Sequence, residues 1–215
     1  MKKLILLVIV VLGFTILNAQ LNLSYGFRTG FVIANQDFDY SVLDYNSNEI
    51  SLDLEKHYGL IIGPSIGLFK ESNIDLIFEF NYVQKGMIYE IDHYDEDGNN
   101  LGTIDFNNRV EYLSLLILGE FSYNSTVKLP YLIIGPRIDI LIGYKSEDNL
   151  FDDVYDDFES FDFGGSIGLG YELNLWESYN FLFEIRFSPS FTNSYETELL
   201  TVKNNSVDFL TGIKF

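Results

Sequence analysis

The sequence predicts an all-β chain that closes into an eight-stranded, antiparallel, up-and-down transmembrane β-barrel, and three patterns carry that expectation. The first is residues 181–191, FLFEIRFSPSF. Successive side chains of a strand point to opposite sides of the sheet. Phe181, Phe183, Ile185, Phe187, Pro189 and Phe191 therefore share one face, and Leu182, Glu184, Arg186, Ser188 and Ser190 the other. An oily aromatic face backed by an acid and a base reverses the plan of a soluble sheet and fits a wall with lipid outside and a small polar lumen inside. The second pattern is a regular alternation of short and long connections, and the third is the confinement of acid to the long ones.

Composition agrees with strands. Fifteen Tyr and nineteen Phe stand against one Trp and four Pro, a β-favouring balance. With 215 residues, 47% of them hydrophobic, the chain suits one ordered domain. No Cys is present, which excludes disulfides, thiol nucleophiles and thiolate metal sites. A formal charge of −19 lacks the basic footprint that nucleic acid requires, so no such partner is expected, nor any cofactor.

Residues 1–19 read as a cleaved secretory signal peptide and 20–215 as the barrel domain. Lys2 and Lys3 form the basic start, residues 4–17 the apolar run, and Leu17-Asn18-Ala19 the cleavage site. The run is interrupted by Gly13 and Thr15 and falls short of the about 20 residues that a spanning helix needs. Removing it takes the charge from −19 to −21. No later stretch is apolar for long enough to cross a membrane as a helix.

Eight strands are expected at residues 21–34, 54–69, 74–90, 106–123, 129–144, 161–173, 179–192 and 204–215. Most exceed the about five or six residues usual in globular proteins and suit a tilted membrane stave of about 9 to 11 residues. Residues 70–73, 124–128 and 174–178 are tight turns; 35–53, 91–105, 145–160 and 193–203 are long polar loops. Outer-membrane barrels have short periplasmic turns and longer extracellular loops, and an even strand number places both termini in the periplasm. The acids follow the loops. Residues 35–56, 90–105, 146–160 and 193–203 hold 6, 6, 7 and 2 of them, opposed only by Lys56 and Lys203. Asp95 and Asp97, and likewise Asp152, Asp153, Asp156 and Asp157, are candidate divalent-cation contacts, weighed against plain solvated surface. His93 stands where an EF-hand would begin and no Glu follows at the required spacing, so 95–100 reads as an Asp-Gly hairpin tip.

The period of two assigns the faces. In the third strand Ile74, Leu76, Phe78, Phe80 and Tyr82 point out, and Asp75, Ile77, Glu79, Asn81 and Lys85 in. In the fifth, Leu132, Ile134, Pro136, Ile138, Ile140 and Ile142 point out, against Gly135, Arg137, Asp139 and Gly143. In the sixth, Phe163, Ile167, Leu169, Tyr171 and Leu173 point out, and Asp162, Gly164, Ser166, Gly168, Gly170 and Glu172 in. The fourth is nearly continuously apolar from Tyr112 to Leu118; Glu120 is placed inside because a carboxylate facing lipid is costly. The lumen would thus hold Arg28, Lys85, Arg137, Arg186 and Lys214 with Asp75, Glu79, Glu120, Asp139, Glu172, Glu184 and Asp208. Such charges need partners, and Glu184 and Arg186 are expected to meet residues such as Glu172 or Lys214. Inward glycines, among them Gly26, Gly30, Gly63, Gly67, Gly164, Gly168 and Gly212, make room for the long side chains. An eight-stranded barrel is just wide enough to be filled by side chains, with a continuous pore as the alternative. Pro64 and Pro136, each closing a Leu-Ile-Ile-Gly-Pro run, are expected at bulges.

The last strand, 207–215, alternates and ends on Phe215; Phe209, Ile213 and Phe215 resemble the C-terminal signal by which the barrel assembly machinery recognises outer-membrane barrels. Tyr82-Val83-Gln84-Lys85-Gly86, Glu111-Tyr112-Leu113-Ser114-Leu115-Leu116, Tyr131-Leu132-Ile133-Ile134-Gly135-Pro136, and 161–164 through 170–173 resemble the outer-membrane β-barrel family of Bacteroidota that includes PorT-like and small OmpX-like proteins. Where that family often has Glu-Ile-Pro in the fourth strand, this chain has Ser114-Leu115-Leu116. The resemblance implies the fold and carries no catalytic or binding residue.

The leading expectation is a non-enzymatic integral outer-membrane protein acting through acidic outer loops or simply as a structural membrane component, in contact with membrane lipid and lipopolysaccharide, to which divalent cations would bridge the loop carboxylates. A narrow channel, or the secretion accessory that the PorT resemblance implies, is the second. A barrel enzyme acting on lipid A acyl chains is the third; it needs a His beside a Ser or an acid, and only His57 and His93 are available.

Overall fold

Each predicted stave is a strand, and consecutive staves pair. The computed structural model describes residues 23–40, 54–68, 73–94, 100–122, 130–146, 152–176, 179–198 and 200–215. In chain order these form β1 (Ser24–Tyr40), β2 (Leu54–Leu68), β3 (Ile74–Tyr94), β4 (Asn100–Ser122), β5 (Tyr131–Lys145), the short helix α1 (Asp152–Asp156), β6 (Phe161–Trp176), β7 (Tyr179–Ser188), a two-residue β8 (Tyr195–Glu196) and β9 (Leu200–Lys214). Every pairing is antiparallel, and the order runs β1 through β7 to β9. β9 then pairs β1 from Gly26↔Lys214 to Tyr40↔Leu200, which closes a ring of eight strands and leaves no free edge in the wall. Tyr25 and Phe215 complete the seam by exchanging backbone bonds of 2.9 and 2.8 Å. The expected signal peptide lies outside the described residues, as do Asp95 and Asp97.

The alternation holds all the way round. Phe183, Ile185 and Phe187 are about half exposed on the outer face, at 50%, 55% and 49%, whereas Glu184 and Arg186 between them are 3% and 1% exposed. The ambiguous fourth strand resolves the same way: Leu115, Ile117 and Phe121 point out, and Tyr112, Ser114, Leu116, Leu118 and Glu120 are buried. A strand apolar on both faces is thus one whose inner face packs on other inner apolar residues, and the lumen is less uniformly polar than expected. Ile77, Leu116, Leu118 and Ile133 form one internal cluster, and Val32, Ala34, Ile61, Val83 and Leu210 another.

Four expectations need correction at the long-loop end. β1 runs to Tyr40, β3 to Tyr94, β4 starts at Asn100 and β9 at Leu200, all within stretches read as loops. β3 and β4 stay paired from Ile74↔Phe121 to Tyr94↔Asn100, while β2 leaves β3 at Tyr89 and β5 leaves β4 at Arg109. A two-stranded ribbon therefore projects above the rim. Its backbone is satisfied by its own ladder, and residues 101–105 are all exposed, without the inward-outward alternation that marks a half-buried strand. The expected loop 145–160 contains α1, and β7 stops at Ser188, with Ser190 beyond it forming an isolated bridge to Gly164.

The two prolines do not sit at bulges. Register runs unbroken through Pro64 of β2 against β1 and through Pro136 of β5 against β6, and the shifts lie elsewhere, between Lys56 and Ile61, Glu111 and Tyr112, His93 and Tyr94, and Asn174 and Trp176. What the Gly-Pro pairs do instead is the same at both places. The ladder skips Gly63-Pro64 against β3 and Gly135-Pro136 against β4 with no change of register. A Cβ at Gly63 would stand 2.1 Å from the Phe80 carbonyl oxygen, and one at Gly135 1.9 Å from that of Ile117. Proline removes one donor from the ladder, and the glycine before it lets the neighbouring backbone close in.

Candidate functional site

The lumen gathers buried charge of both signs, and it is built in tiers. Each inward side chain on one strand meets an inward side chain on its neighbours, so a row of the ladder becomes a layer of the filling. Arg28, Glu79, Lys85, Glu120, Arg137, Asp139, Glu172, Glu184, Arg186 and Lys214 are all buried inside the ring, as are Asp75, Asp162 and Asp208.

At the short-turn end Lys214 on β9 faces three carboxylates, Asp75 at 3.3 Å, Glu172 at 3.6 Å and Glu120 at 3.7 Å. Glu172 also accepts a hydrogen bond from Asn180. The next tier crosses the barrel. Arg186 on β7 forks onto Glu79 on β3 with Nη1–Oε2 at 2.7 Å and Nη2–Oε1 at 2.8 Å, and contacts Glu184 beside it. Arg28 on β1 reaches Glu79 at 3.2 Å through Nε and Glu184 at 3.2 Å through Nη2, and donates to Ser65 Oγ at 2.5 Å. The Tyr131 hydroxyl donates to Glu184 at 2.6 Å. β3 and β7 stand on opposite sides of the ring, so this quartet of two guanidiniums and two carboxylates spans the lumen. Bidentate Arg–carboxylate geometry is the arrangement in which buried charges best offset their desolvation. Glu184 and Arg186 therefore do not meet Glu172 or Lys214, as the sequence suggested: the row of Glu184 on β9 is Leu210, four residues short of Lys214.

The third tier is centred on Asp139, 2.7 Å from Lys85 Nζ and 3.0 Å from Arg137 Nε. Arg137 donates to the Ser188 carbonyl at 2.8 Å and to Ser190 Oγ at 3.1 Å. Ser190 donates in turn to Asp162 at 2.7 Å, and Ser188 to Asp208 at 2.7 Å. The inward glycines give these side chains their space. A Cβ at Gly168 would be 2.8 Å from Arg186 Cγ, one at Gly164 2.8 Å from Arg137 Nη2, and one at Gly170 2.2 Å from Tyr131 Cζ.

Above the ions lies a cap that sequence reasoning missed. Tyr155 of α1 and Phe158 just after it enter the mouth and pack with Met87, Tyr89, Val110, Tyr112 and Val202, all buried. Tyr155 donates to Gln36 Oε1 at 2.9 Å, Gln36 donates to Asn204 Oδ1 at 2.9 Å, and Asn204 donates to the Tyr112 hydroxyl at 3.0 Å. Tyr144 holds the helix from outside by donating to Asp156 at 2.6 Å. Burial pushes the Tyr155 hydroxyl well above the ordinary tyrosine range. Gln36 and Val202 fall in stretches read as loops, and Tyr155 and Phe158 are two aromatics in an otherwise acidic run. That contrast is the only signal of the cap.

The other predicted residues divide. Phe209 stacks on Phe31 at 4.7 Å, and Ile213 and Phe215 are exposed on the outer face. Asp156 and Asp157 are exposed, and Asp152 and Asp153 open α1. Among the described residues no group of three or more His, Cys, Asp or Glu is placed to hold a metal ion. His57 is buried at the outer end and its Nδ1 donates to Asn107 Oδ1 at 2.8 Å.

Three comparisons bear on this arrangement. No curated protein matches the chain by sequence. Among solved structures it is similar to neisserial surface protein A, with TM-score 0.43, 11% identity and coverage of 89% of this chain and 95% of that one. Outer membrane protein W of E. coli gives TM-score 0.42 at 9% identity, covering 89% and 96%. OprG of Pseudomonas aeruginosa gives 0.40 at 12%, covering 89% and 95%. The profile of a family described as outer membrane protein beta-barrel domain matches residues 18–196. By that match, over most of its length, the chain belongs to the outer membrane protein beta-barrel domain family and its barrel is an outer-membrane one.

Proposed function

We propose that this protein is a sealed, non-enzymatic outer-membrane barrel that works at the cell surface through what its outer end displays. The observation that carries the proposal is the Arg28–Glu79–Arg186–Glu184 quartet, which ties β1, β3 and β7 together across the lumen at 2.7 to 3.2 Å. Opening a path there means separating paired charges in a narrow space of low dielectric, which costs several kcal/mol for each ion left alone. The cap of Tyr155 and Phe158 closes the mouth a second time. Both features speak against a continuous pore.

The long connections face outward and both termini the periplasm, following the general asymmetry of outer-membrane barrels. The projecting β3–β4 ribbon is then a prominent surface feature among the described residues. Residues 90–105 carry six acids and no Lys or Arg, and Leu101 and Ile104 are 61% and 45% exposed. Such a surface favours cationic partners, including the divalent cations that bridge carboxylates to lipopolysaccharide. Phe209, Ile213 and Phe215 present the outward pattern that suits recognition by the assembly machinery. For hydrolysis of lipid A, His57 is poorly equipped, since its ring nitrogen is engaged by the Asn107 amide and not by a serine or an acid.

Single cysteines at Leu101 and Thr192 should react with a membrane-impermeant maleimide on intact cells, whereas one at Asn73 should react only after the cells are opened. Labelling at Asn73 on intact cells would reverse the orientation. Lipid A of unchanged mass after gene deletion is the expected result for a non-enzyme.

A further inference from the structure

The second and third tiers of the lumen do not meet everywhere. On the β7 and β9 side the ladder sets Arg186 directly opposite Asp208 and, one inward row nearer the mouth, Ser188 opposite Ser206. Together with Ile61, Val83 and Leu116, and with the cations Lys85 and Arg137, they line a cavity of about 10 Å³ between the tiers. Three polar groups on this lining have no hydrogen-bond partner among the described residues: the Ser206 hydroxyl, Asp208 Oδ1 and Arg186 Nε. All three residues are buried, at 3%, 5% and 1% exposure. The other polar atoms around them are engaged. Asp208 Oδ2 accepts from Ser188 at 2.7 Å, Lys85 donates to Asp139 at 2.7 Å, and both Arg186 Nη atoms donate to carboxylates.

We infer that this cavity is the binding site of a single structural water, which joins Arg186 of the second tier to Ser206 and Asp208 of the third. The chemistry of the lining specifies the occupant. A guanidinium Nε only donates, a carboxylate oxygen only accepts, and a hydroxyl does either. Water meets all three demands at once: it gives a hydrogen bond to Asp208, takes one from Arg186 and shares one with Ser206. A metal cation or an ammonium ion in the same place would face Lys85, Arg137 and Arg186, and a halide would face the Asp208 carboxylate. Size sets the number. A cavity of about 10 Å³ holds one water at most, and three polar partners fall within the two to four that a buried water requires. Leaving a buried donor and two buried acceptors without partners is costly, and a bridging water restores nearly what a direct bond would give. The inference deepens the reading of a sealed lumen and rests on it, because an open channel would run a file of exchanging waters through the same region.

Two measurements on the folded barrel test this. A crystal structure at a resolution that shows ordered water reads the site directly, and water-to-protein cross-relaxation by nuclear magnetic resonance in lipid nanodiscs reads it in a bilayer. Wild type should hold one water bonded to Ser206, Asp208 and Arg186, with a cross-peak from that water to the Ser206 amide. Ser206→Val fills the space with methyl groups and should abolish both signals. Ser24→Ala, at the short-turn end of the lumen and outside the cavity lining, should keep them. Heat-modifiable gel mobility confirms that each variant is folded. If Ser206→Val fails that check, Ser206→Ala takes its place, and the cross-peak should weaken several-fold with one partner gone. Ser206 bonded directly to Asp208 with no density between them, a bromide peak at the site in anomalous scattering, or a water signal that survives in Ser206→Val would each overturn the inference. Absence of the water from a barrel that carries no current in a planar bilayer would overturn this inference alone and leave the sealed lumen standing. A file of waters running from the cap to the short turns would overturn both.

Discussion

Arg186 links two walls of the barrel, because its guanidinium forks onto Glu79 on one side and touches Glu184 on the other. Both carboxylates are buried, and when Arg186 is lost Glu79 keeps Arg28 and the Asn81 amide but loses its bidentate cation. Arg186→Met should therefore lower stability by about 3 kcal/mol, the loss that follows when one partner of a buried pair is removed. Adding Glu184→Gln should recover most of it, since Arg28 then remains paired with Glu79 and no carboxylate is left in excess. Urea unfolding in lipid vesicles reads both. Gly170 offers a second test. An alanine Cβ there would lie 2.2 Å from Tyr131 Cζ, so Gly170→Ala should cost about 1 to 3 kcal/mol, and Tyr131→Leu in the same chain should relieve it. At this scale the sequence told which residues face in, because alternation needs only the chain itself. It did not tell which inward residues meet. Arg186 finds Glu79 and Glu184 finds Arg28, each more than a hundred positions away, through a register between strands that the pattern within one strand does not contain.

Among the elements, the projecting ribbon and α1 are where polarity misled. An acidic stretch reads as loop, yet β3 and β4 pair with each other out to Tyr94 and Asn100 because an antiparallel ladder satisfies its own backbone in water. Since no other described strand pairs with the ribbon beyond the rim, replacing residues 91–104 by Asn-Gly should leave the barrel folded and heat-modifiable, with its unfolding midpoint unchanged within error. The helix α1 carries the opposite expectation. Phe158→Ala removes a buried aromatic from the cap and should loosen it, seen as faster proteolysis within 145–160. The cap should also respond to alkali. With the Tyr155 hydroxyl raised above its unfolded value of about 10, the unfolded segment releases its proton first, so cap stability is whole below that pH and falls as pH rises above it. Near-ultraviolet circular dichroism between pH 9 and 12, read as an order-of-magnitude window, should show the loss in wild type and a smaller one in Tyr155→Phe. The Gly-Pro pairs at Gly63-Pro64 and Gly135-Pro136 were visible as a repeat. Their shared role, close approach beside a skipped ladder bond, emerges only once the neighbouring strands are in place.

For the whole molecule, the number of staves, their order and the two faces of the wall followed from hydrophobic alternation, loop lengths and the sorting of acid, and the closing pairing of β1 with β9 completes the ring. Closure makes inside and outside distinct environments, and the charge quartet across the lumen is the consequence: eight strands leave an interior that side chains fill. The most direct test of a filled lumen is electrical. Purified protein reconstituted in a planar bilayer, verified as folded by heat-modifiable mobility, should give no current steps above the bare membrane at either polarity, and should remain silent after the ribbon is trimmed. Steady ohmic steps from the intact protein would mean that the Arg28, Glu79, Glu184 and Arg186 tier does not close the lumen, and would contradict the account.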